Sequence, residues 1–234
     1  GYNSLAHRTT WLRSDFDFCM FGSDVLLAMG LSFVLTYLLG SLNFAVIVSR
    51  LLYHDDVRNY GSGNAGMTNM LRTYGKKAAF LTGLGDFFKG TASVLIARTI
   101  IGSLGVELPF DGGWVGAIGV LLGHLFPIFF HFKAGKGILA ACGAILLMNP
   151  DLFGVLFIGF VPIAFITRIV SLASVLGASA YPILVYIKCR LIGRPPLLDG
   201  TFALICVALI LYMHRENIKR LLNGTEKKIG RPGK

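Results

Sequence analysis

The chain has 234 residues, of which 54% are hydrophobic and only 15% are charged, against about 25% charged in an ordinary soluble domain. Disorder is excluded, because disordered chains are poor in apolar residues. The 22 Lys and Arg outnumber the 12 Asp and Glu, leaving a net charge of +10. In a soluble chain that excess would point to nucleic acid. In a membrane chain it is mostly an orientation signal, with the remainder facing an anionic substrate or lipid.

An apolar run of about 20 residues is long enough to span a bilayer. Val25–Val48 is such a run and holds no charge, and Gly112–Phe130 and Ile169–Ile187 are two more. The fold class is therefore all-α: a polytopic membrane protein. In chain order, residues 1–19 read as an N-terminal extension, polar and mixed like a fusion scar. Span one covers about 25–50 and ends at Arg50. A polar, glycine-rich stretch, 51–77, follows. Span two, about 78–101, is interrupted by Asp86 and Lys89. Span three is about 112–131, with a basic hinge at His131–Gly137. Span four (138–149), span five (152–167), span six (169–188) and span seven (200–213) complete the set, before a basic tail at 214–234. Residues 20–228 form one domain of about seven spans, and 229–234 are the end of the tail.

With seven spans, an outer N-terminus and a cytoplasmic C-terminus, 15 of the 22 basic residues fall on the inner side, as the excess of Lys and Arg in cytoplasmic loops requires. Lys188, Arg190 and Arg194 cluster on the outer side, against the trend. The four cysteines are scattered without metal-ligand spacing, so they read as small apolar residues. No metal and no cofactor is expected.

Five polar islands stand out. The first runs from Val57 through Gly61, Ser62, Gly63, Asn64, Ala65, Gly66, Met67, Thr68 and Asn69 to Arg72. It matches GxGxxG formally, but no strand precedes it and no βαβ unit surrounds it, so a dinucleotide site is rejected. Its physics still suits an anion: glycines let backbone N–H groups approach a phosphate, and a helix N-terminus attracts negative charge. Arg72 adds a fixed cationic fork. The second island, Asp86 to Gly90, places Asp86 and Lys89 on one helix face. Ionisable groups within a span are costly and are paired or functional. The third joins His124 and Pro127 to Lys133, Gly135, Lys136 and Gly137; a Gly-Lys-Gly turn can wrap an anion, while His124 alone in an apolar stretch reads more as a hydrogen-bonded structural residue than as a base. The fourth puts Ser171 and Ser174 on one helix face, where packing is the default role. The fifth puts His214 and Asn217 three apart at the inner end of span seven, with Arg215 and Lys219 facing elsewhere. There is no G-x-S-x-G elbow and no H-x-x-x-x-D pair.

Taken in order, the islands resemble the PlsY family of bacterial acyl phosphate:glycerol-3-phosphate acyltransferases, over roughly residues 24–228. The matching strings are Gly40-Ser41-Leu42-Asn43-Phe44-Ala45, the Gly61–Asn69 loop, Asp86-Phe87-Phe88-Lys89-Gly90, His124 to Gly137, Ser171-Leu172-Ala173-Ser174 and His214-Arg215-Glu216-Asn217. The resemblance implies seven transmembrane helices in the bacterial inner (cytoplasmic) membrane and an active site facing the cytoplasm. It implies acyl phosphate and glycerol 3-phosphate as substrates, with lysophosphatidic acid and inorganic phosphate as products. By motif, Ser62, Arg72, Lys136, Ser174, His214 and Asn217 match catalytic positions. Gly61, Gly63, Asn64, Thr68, Asn69, His124, Lys133, Gly135, Gly137 and Ser171 are carried as substrate-binding positions. The family often has Gly at Ala134, Thr at Ala140 and a small residue at Met67, which bears on local loop geometry.

Acyl phosphate is a mixed anhydride with phosphate as leaving group, so no enzyme nucleophile is needed. The expected roles are phosphate binding by Arg72, Ser62 and the loop amides, neutralisation of the second phosphate by Lys136, and orientation of glycerol 3-phosphate by His214, Asn217 and Ser174. The base is either His214 or the substrate's own phosphate. Two other classes are weighed. An organic-phosphate or anion transporter would line its path with Asp86 and Lys89, although its site belongs near the midplane and the islands favour one face. A lipid-binding scaffold would account for the basic tail but not for the glycine-rich loop.

Overall fold

The computed structural model describes residues 22–133 and 135–229. The N-terminal extension, Cys19, Ala134 and the last five residues of the tail lie outside the described residues. Ten α-helices and two 3-10 turns, with no strand, make up the described residues: α1 (Ser23–Ser41), α2 (Phe44–Tyr53), α3 (Met67–Tyr74), α4 (Lys76–Ser103), α5 (Gly113–Leu125), α6 (Ile138–Met148), α7 (Pro150–Thr167), α8 (Val170–Leu191), α9 (Leu197–Met213) and α10 (Arg215–Leu222). An apolar helix lies at each of the seven expected spans: α1, then α4 through α9. Four segments are long and apolar enough to cross a membrane by themselves: α1 with α2, α5 continued to Phe130, α7 and α8. A fifth is α9 with α10, bent by 64°.

The apolar residues point outward as much as inward. On α7 only Leu152 is buried, while Ile158, Phe165 and Ile166 are 73%, 83% and 78% exposed. That face suits lipid and not water. The interior is built by close helix contacts. Helix α4 is central, packing on α1, α5 and α6, with α2 and α3 against its first half. Gly90 lies on the Ala140 carbonyl, Gly143 on the Phe87 carbonyl and Gly123 on the Tyr37 carbonyl, and a methyl group at any of them would collide with backbone. Small residues at crossing points are how membrane helices gain contact when lipid is as apolar as leucine.

The single helix expected over 25–50 is broken at Leu42–Asn43. The Asn43 side chain accepts from Val46 N–H at 3.0 Å and so caps α2. The carbonyls freed at the end of α1 are taken by Lys89, whose Nζ donates to Gly40 at 2.8 Å and Leu42 at 2.7 Å. Asp86 Oδ1 sits 3.0 Å from the same Nζ and 3.5 Å from His124 Nδ1. All three side chains are buried, at 2%, 3% and 3% exposure. The second island is therefore consumed in joining α1, α4 and α5. This corrects the transport reading, which needed Asp86 and Lys89 along an open path.

Candidate active site

The polar islands other than Asp86–Lys89 collect at one end of the bundle: α3 and the start of α4, the turn before α6, the start of α8 and the end of α9. The first loop is built around Asn69. Its Oδ1 accepts from Ser62 N–H at 3.0 Å, and its Nδ2 donates to the Val57 and Tyr60 carbonyls at 3.2 and 2.9 Å. Gly61 has φ +62° with Asn69 Oδ1 against its α-carbon, so a side chain there is both strained and blocked. Arg58 ties this loop to the basic hinge. Its guanidinium is paired with Asp56, which it holds down at about 2, and donates to the Phe130 and Lys133 carbonyls at 2.9 and 3.1 Å. Gly135 fits between His124 Nε2 and the Ala65 carbonyl, where any side chain would clash, which brings the hinge down onto the loop.

The hinge delivers Lys136 to the first turn of α10. Its Nζ donates to Asn217 Oδ1. Burial pushes the Lys136 ammonium down to about 8; Glu226 opposes this, and Arg220 and Arg72 add to it. At the bend between α9 and α10, His214 Nδ1 lies 2.8 Å from the Ile210 carbonyl. A carbonyl only accepts, so Nδ1 carries the hydrogen and the Nε2 lone pair is left for another donor.

The segment after α10 closes the site. Arg72 Nη2 donates to the Lys227 carbonyl at 3.4 Å, and Ile229 N–H donates to the Arg168 carbonyl at 2.8 Å. Just before them, Glu226 enters the cluster. Its Oε1 accepts from Ser171 Oγ at 2.8 Å and Asn217 Nδ2 at 2.6 Å, and its Oε2 accepts from Arg220 Nε at 2.6 Å. Burial works against the carboxylate, yet those hydrogen bonds hold its pKa below the usual range.

Ser174, one helical turn beyond Ser171, opens into an apolar cavity of about 290 Å³. Ile138, Leu121, Cys142, Ile145 and Cys206 line its length, and Trp114 and Tyr181 lie deeper along it. Cys142 and Cys206 thus serve as small wall residues. Beyond Trp114 and Met148 a second, polar space is lined by Asp111, Asn149, Lys188, Arg194 and Asp199. There Lys188 is 2.7 Å from Asp151 and Arg194 is 3.8 Å from Asp199, and Arg98 pairs with Asp111.

Of the residues expected at the site, Lys136, Asn217 and Ser171 share one hydrogen-bonded cluster. His214 and Arg72 flank it, and Ser174 lies between it and the cavity. Ser62 and Gly63 are exposed on the loop, Asn64 and Thr68 are half-buried, and Lys133 is exposed with its carbonyl on Arg58. Gly135 and Gly137 are buried in the turn. Asn69 is 1% exposed with its side chain spent on backbone, and His124 is 3% exposed beneath Gly135. Arg58 and Glu226 were missed from sequence. Glu226 is the one acid after Glu216 in the basic tail, a signal hidden by counting the tail as net charge.

An apolar bundle carrying cationic and amide groups at one end, above an apolar cavity, defines an integral membrane protein. A family model described as glycerol-3-phosphate acyltransferase matches residues 30–224. The chain is 40% identical to the glycerol-3-phosphate acyltransferase of Clostridioides difficile (strain 630), over 84% of this chain and 93% of that one. It is also 40% identical to the one from Bordetella pertussis (strain Tohama I), over 88% and 94%. The fold is similar to crystal structures of PlsY (YgiH), an integral membrane glycerol 3-phosphate acyltransferase. The glycerol 3-phosphate form matches with a TM-score of 0.75 and 35% identity, over 86% of this chain and 96% of that one. The lysophosphatidic acid form matches with a TM-score of 0.72 and 34% identity, over 86% and 95%. The chain belongs to the glycerol-3-phosphate acyltransferase family of integral membrane enzymes.

Proposed function

We propose that this acyltransferase takes its acyl group from acyl phosphate and places it on the 1-hydroxyl of glycerol 3-phosphate, giving lysophosphatidic acid and inorganic phosphate. The observation that carries the reading is the junction at Ser174. On one side lie Arg72, Lys136 and Asn217, which suit phosphate groups. On the other lies an apolar cavity suited to an acyl chain. A solved relative described as a glycerol 3-phosphate form adds support for the acceptor.

In this reading the donor's chain lies in the cavity and its phosphate meets the Ser62 hydroxyl and Arg72, while the Ser62, Gly63 and Gly66 N–H groups stay donated within the loop. Lys136 neutralises the phosphate of glycerol 3-phosphate, while Asn217 and Ser174 orient the glycerol. The 1-hydroxyl oxygen attacks the acyl carbon, its proton passes to His214 Nε2, and the bond from the acyl carbon to the phosphate oxygen breaks. The proton then leaves with phosphate. The protein contributes position and charge, which carry most of the rate in such transfers. Activity depends on a protonated Lys136, so kcat/KM for glycerol 3-phosphate falls as pH rises through about 8.

The site faces the cytoplasm and the membrane is the bacterial inner membrane. Charge supports this orientation. At the far end, Arg98, Lys188 and Arg194 are each matched by an aspartate, so little free positive charge remains there. The near end keeps the exposed Lys76, Lys77, Lys133, Lys227 and Lys228. The test is donor choice: purified protein in lipid, labelled glycerol 3-phosphate, and either acyl phosphate or an acyl thioester. Lysophosphatidic acid is expected from the phosphate donor alone. Equal or better turnover with the thioester refutes the donor assignment.

A further inference from the structure

Asn217 contacts two groups of opposite charge. Its Oδ1 accepts from the Lys136 ammonium and its Nδ2 donates to Glu226 Oε1. Turning the amide over would set NH2 against an ammonium and a carbonyl against a carboxylate, and both contacts would be repulsive. The orientation is therefore imposed by Glu226, which is itself fixed by Ser171 on α8 and Arg220 on α10. Its side chain is only 8% exposed, so water does not replace these partners. The carboxylate sits on a segment held to Arg168 and Arg72 by backbone contacts.

We propose that Glu226 is a positioning residue for acyl transfer: by accepting from Asn217 Nδ2 it turns the amide oxygen towards Lys136 and holds the ammonium where the acceptor's phosphate binds. The inference rests on the site described under the proposed function. It adds a residue from the C-terminal segment that touches neither substrate. The charged groups facing Lys136 are Glu226, Arg220 and Arg72, with His214 beside them. Glu226 is the one anion among them. Without it, Lys136 keeps only cationic neighbours and loses its proton more readily, so the alkaline limb of the pH profile moves to lower pH.

The experiment is steady-state kinetics across pH on the purified full chain in lipid, for Glu226→Gln, Asn217→Asp, the two combined, Asn217→Ala and Lys136→Ala. Glu226→Gln is expected to lower kcat/KM for glycerol 3-phosphate by about 10- to 100-fold, the range of a misplaced catalytic group, and to move the alkaline limb down. The combined Asn217→Asp and Glu226→Gln variant restores one amide donor facing one carboxylate, so it is expected to be more active than either single variant. A purely structural anchor would show neither the displaced limb nor the rescue. An unmoved limb with wild-type kcat/KM in Glu226→Gln overturns the proposal. If Glu226→Gln does not fold, a combined variant no better than Asn217→Asp overturns it. Wild-type turnover in Asn217→Ala and Lys136→Ala refutes the site itself, whereas loss in those two with full activity in Glu226→Gln refutes only the role of Glu226.

Discussion

Gly177 lines the apolar cavity, and a side chain built there meets nothing within 4 Å. It lies three residues beyond Ser174 on α8, about 4.5 Å deeper at 1.5 Å per residue. A leucine at this position therefore starts out into open cavity. Ile138 and Met148 both line the cavity and stand about 15 Å apart along α6, which is half of a ~30 Å hydrocarbon core and so about one leaflet's acyl chain. A leucine side chain displaces roughly four methylenes of substrate, each worth about 0.8 kcal/mol when buried. The loss is about 3 kcal/mol, or on the order of 100-fold in kcat/KM for a long-chain acyl phosphate. Acetyl phosphate, which does not reach Gly177, should be used by Gly177→Leu about as well as by the wild type. The assay is lysophosphatidic acid formation against donor chain length, with KM for glycerol 3-phosphate as control. Equal loss for acetyl and long-chain donors, or no loss for either, refutes the cavity as the seat of the acyl chain.

Arg72→Lys conserves charge and loses the planar fork, so phosphate release should fall by about 10-fold or more, the equivalent of one lost bidentate contact; wild-type turnover contradicts the assignment. Asn69→Ala leaves the Ser62 N–H and the Val57 and Tyr60 carbonyls without their partner, which should cost about 1–3 kcal/mol in thermal unfolding and raise KM for the phosphate substrates. Lys89→Met strands Asp86 and two helix-end carbonyls, so it should destabilise by about 3–5 kcal/mol, as removal of one partner of a buried ion pair does. A stable, fully active Lys89→Met protein contradicts the structural role given to that lysine. Raising pH through about 8 should lower kcat/KM for glycerol 3-phosphate as Lys136 deprotonates, and a profile flat to pH 10 refutes the dependence on its charge.

The chemistry of the site was legible because glycine, amide, hydroxyl and arginine were dense in short strings. Lys136, Asn217 and Ser171 are far apart in sequence yet share one hydrogen-bonded cluster. The spans were legible from length and apolarity. What stayed hidden depended on partners distant in sequence. The break at Leu42–Asn43 is stable only because Lys89 reaches back to Gly40 and Leu42, and no local pattern announces such a contact. Asn69 and His124 belong to motif strings by position, but burial turns one inward to backbone and the other beneath a glycine. Arg58 lies within the first island, but its hold on the Phe130 and Lys133 carbonyls appears only in three dimensions. Helix α10 and Glu226 were folded into a count of tail charges. A count cannot register that one acid among many bases is selected by geometry.

Acyl transfer as proposed is direct, with no acyl-enzyme, at a site that binds two phosphate groups. A single-turnover experiment reads it most directly: enzyme in excess over long-chain acyl phosphate, phosphate release followed first without and then with glycerol 3-phosphate. The account predicts no phosphate in the first phase, then phosphate and lysophosphatidic acid in equal amounts once the acceptor is added. Phosphate released up to the amount of acyl phosphate supplied, before any acceptor is present and with the acyl group retained on the protein, would mean an acylated side chain and would contradict it.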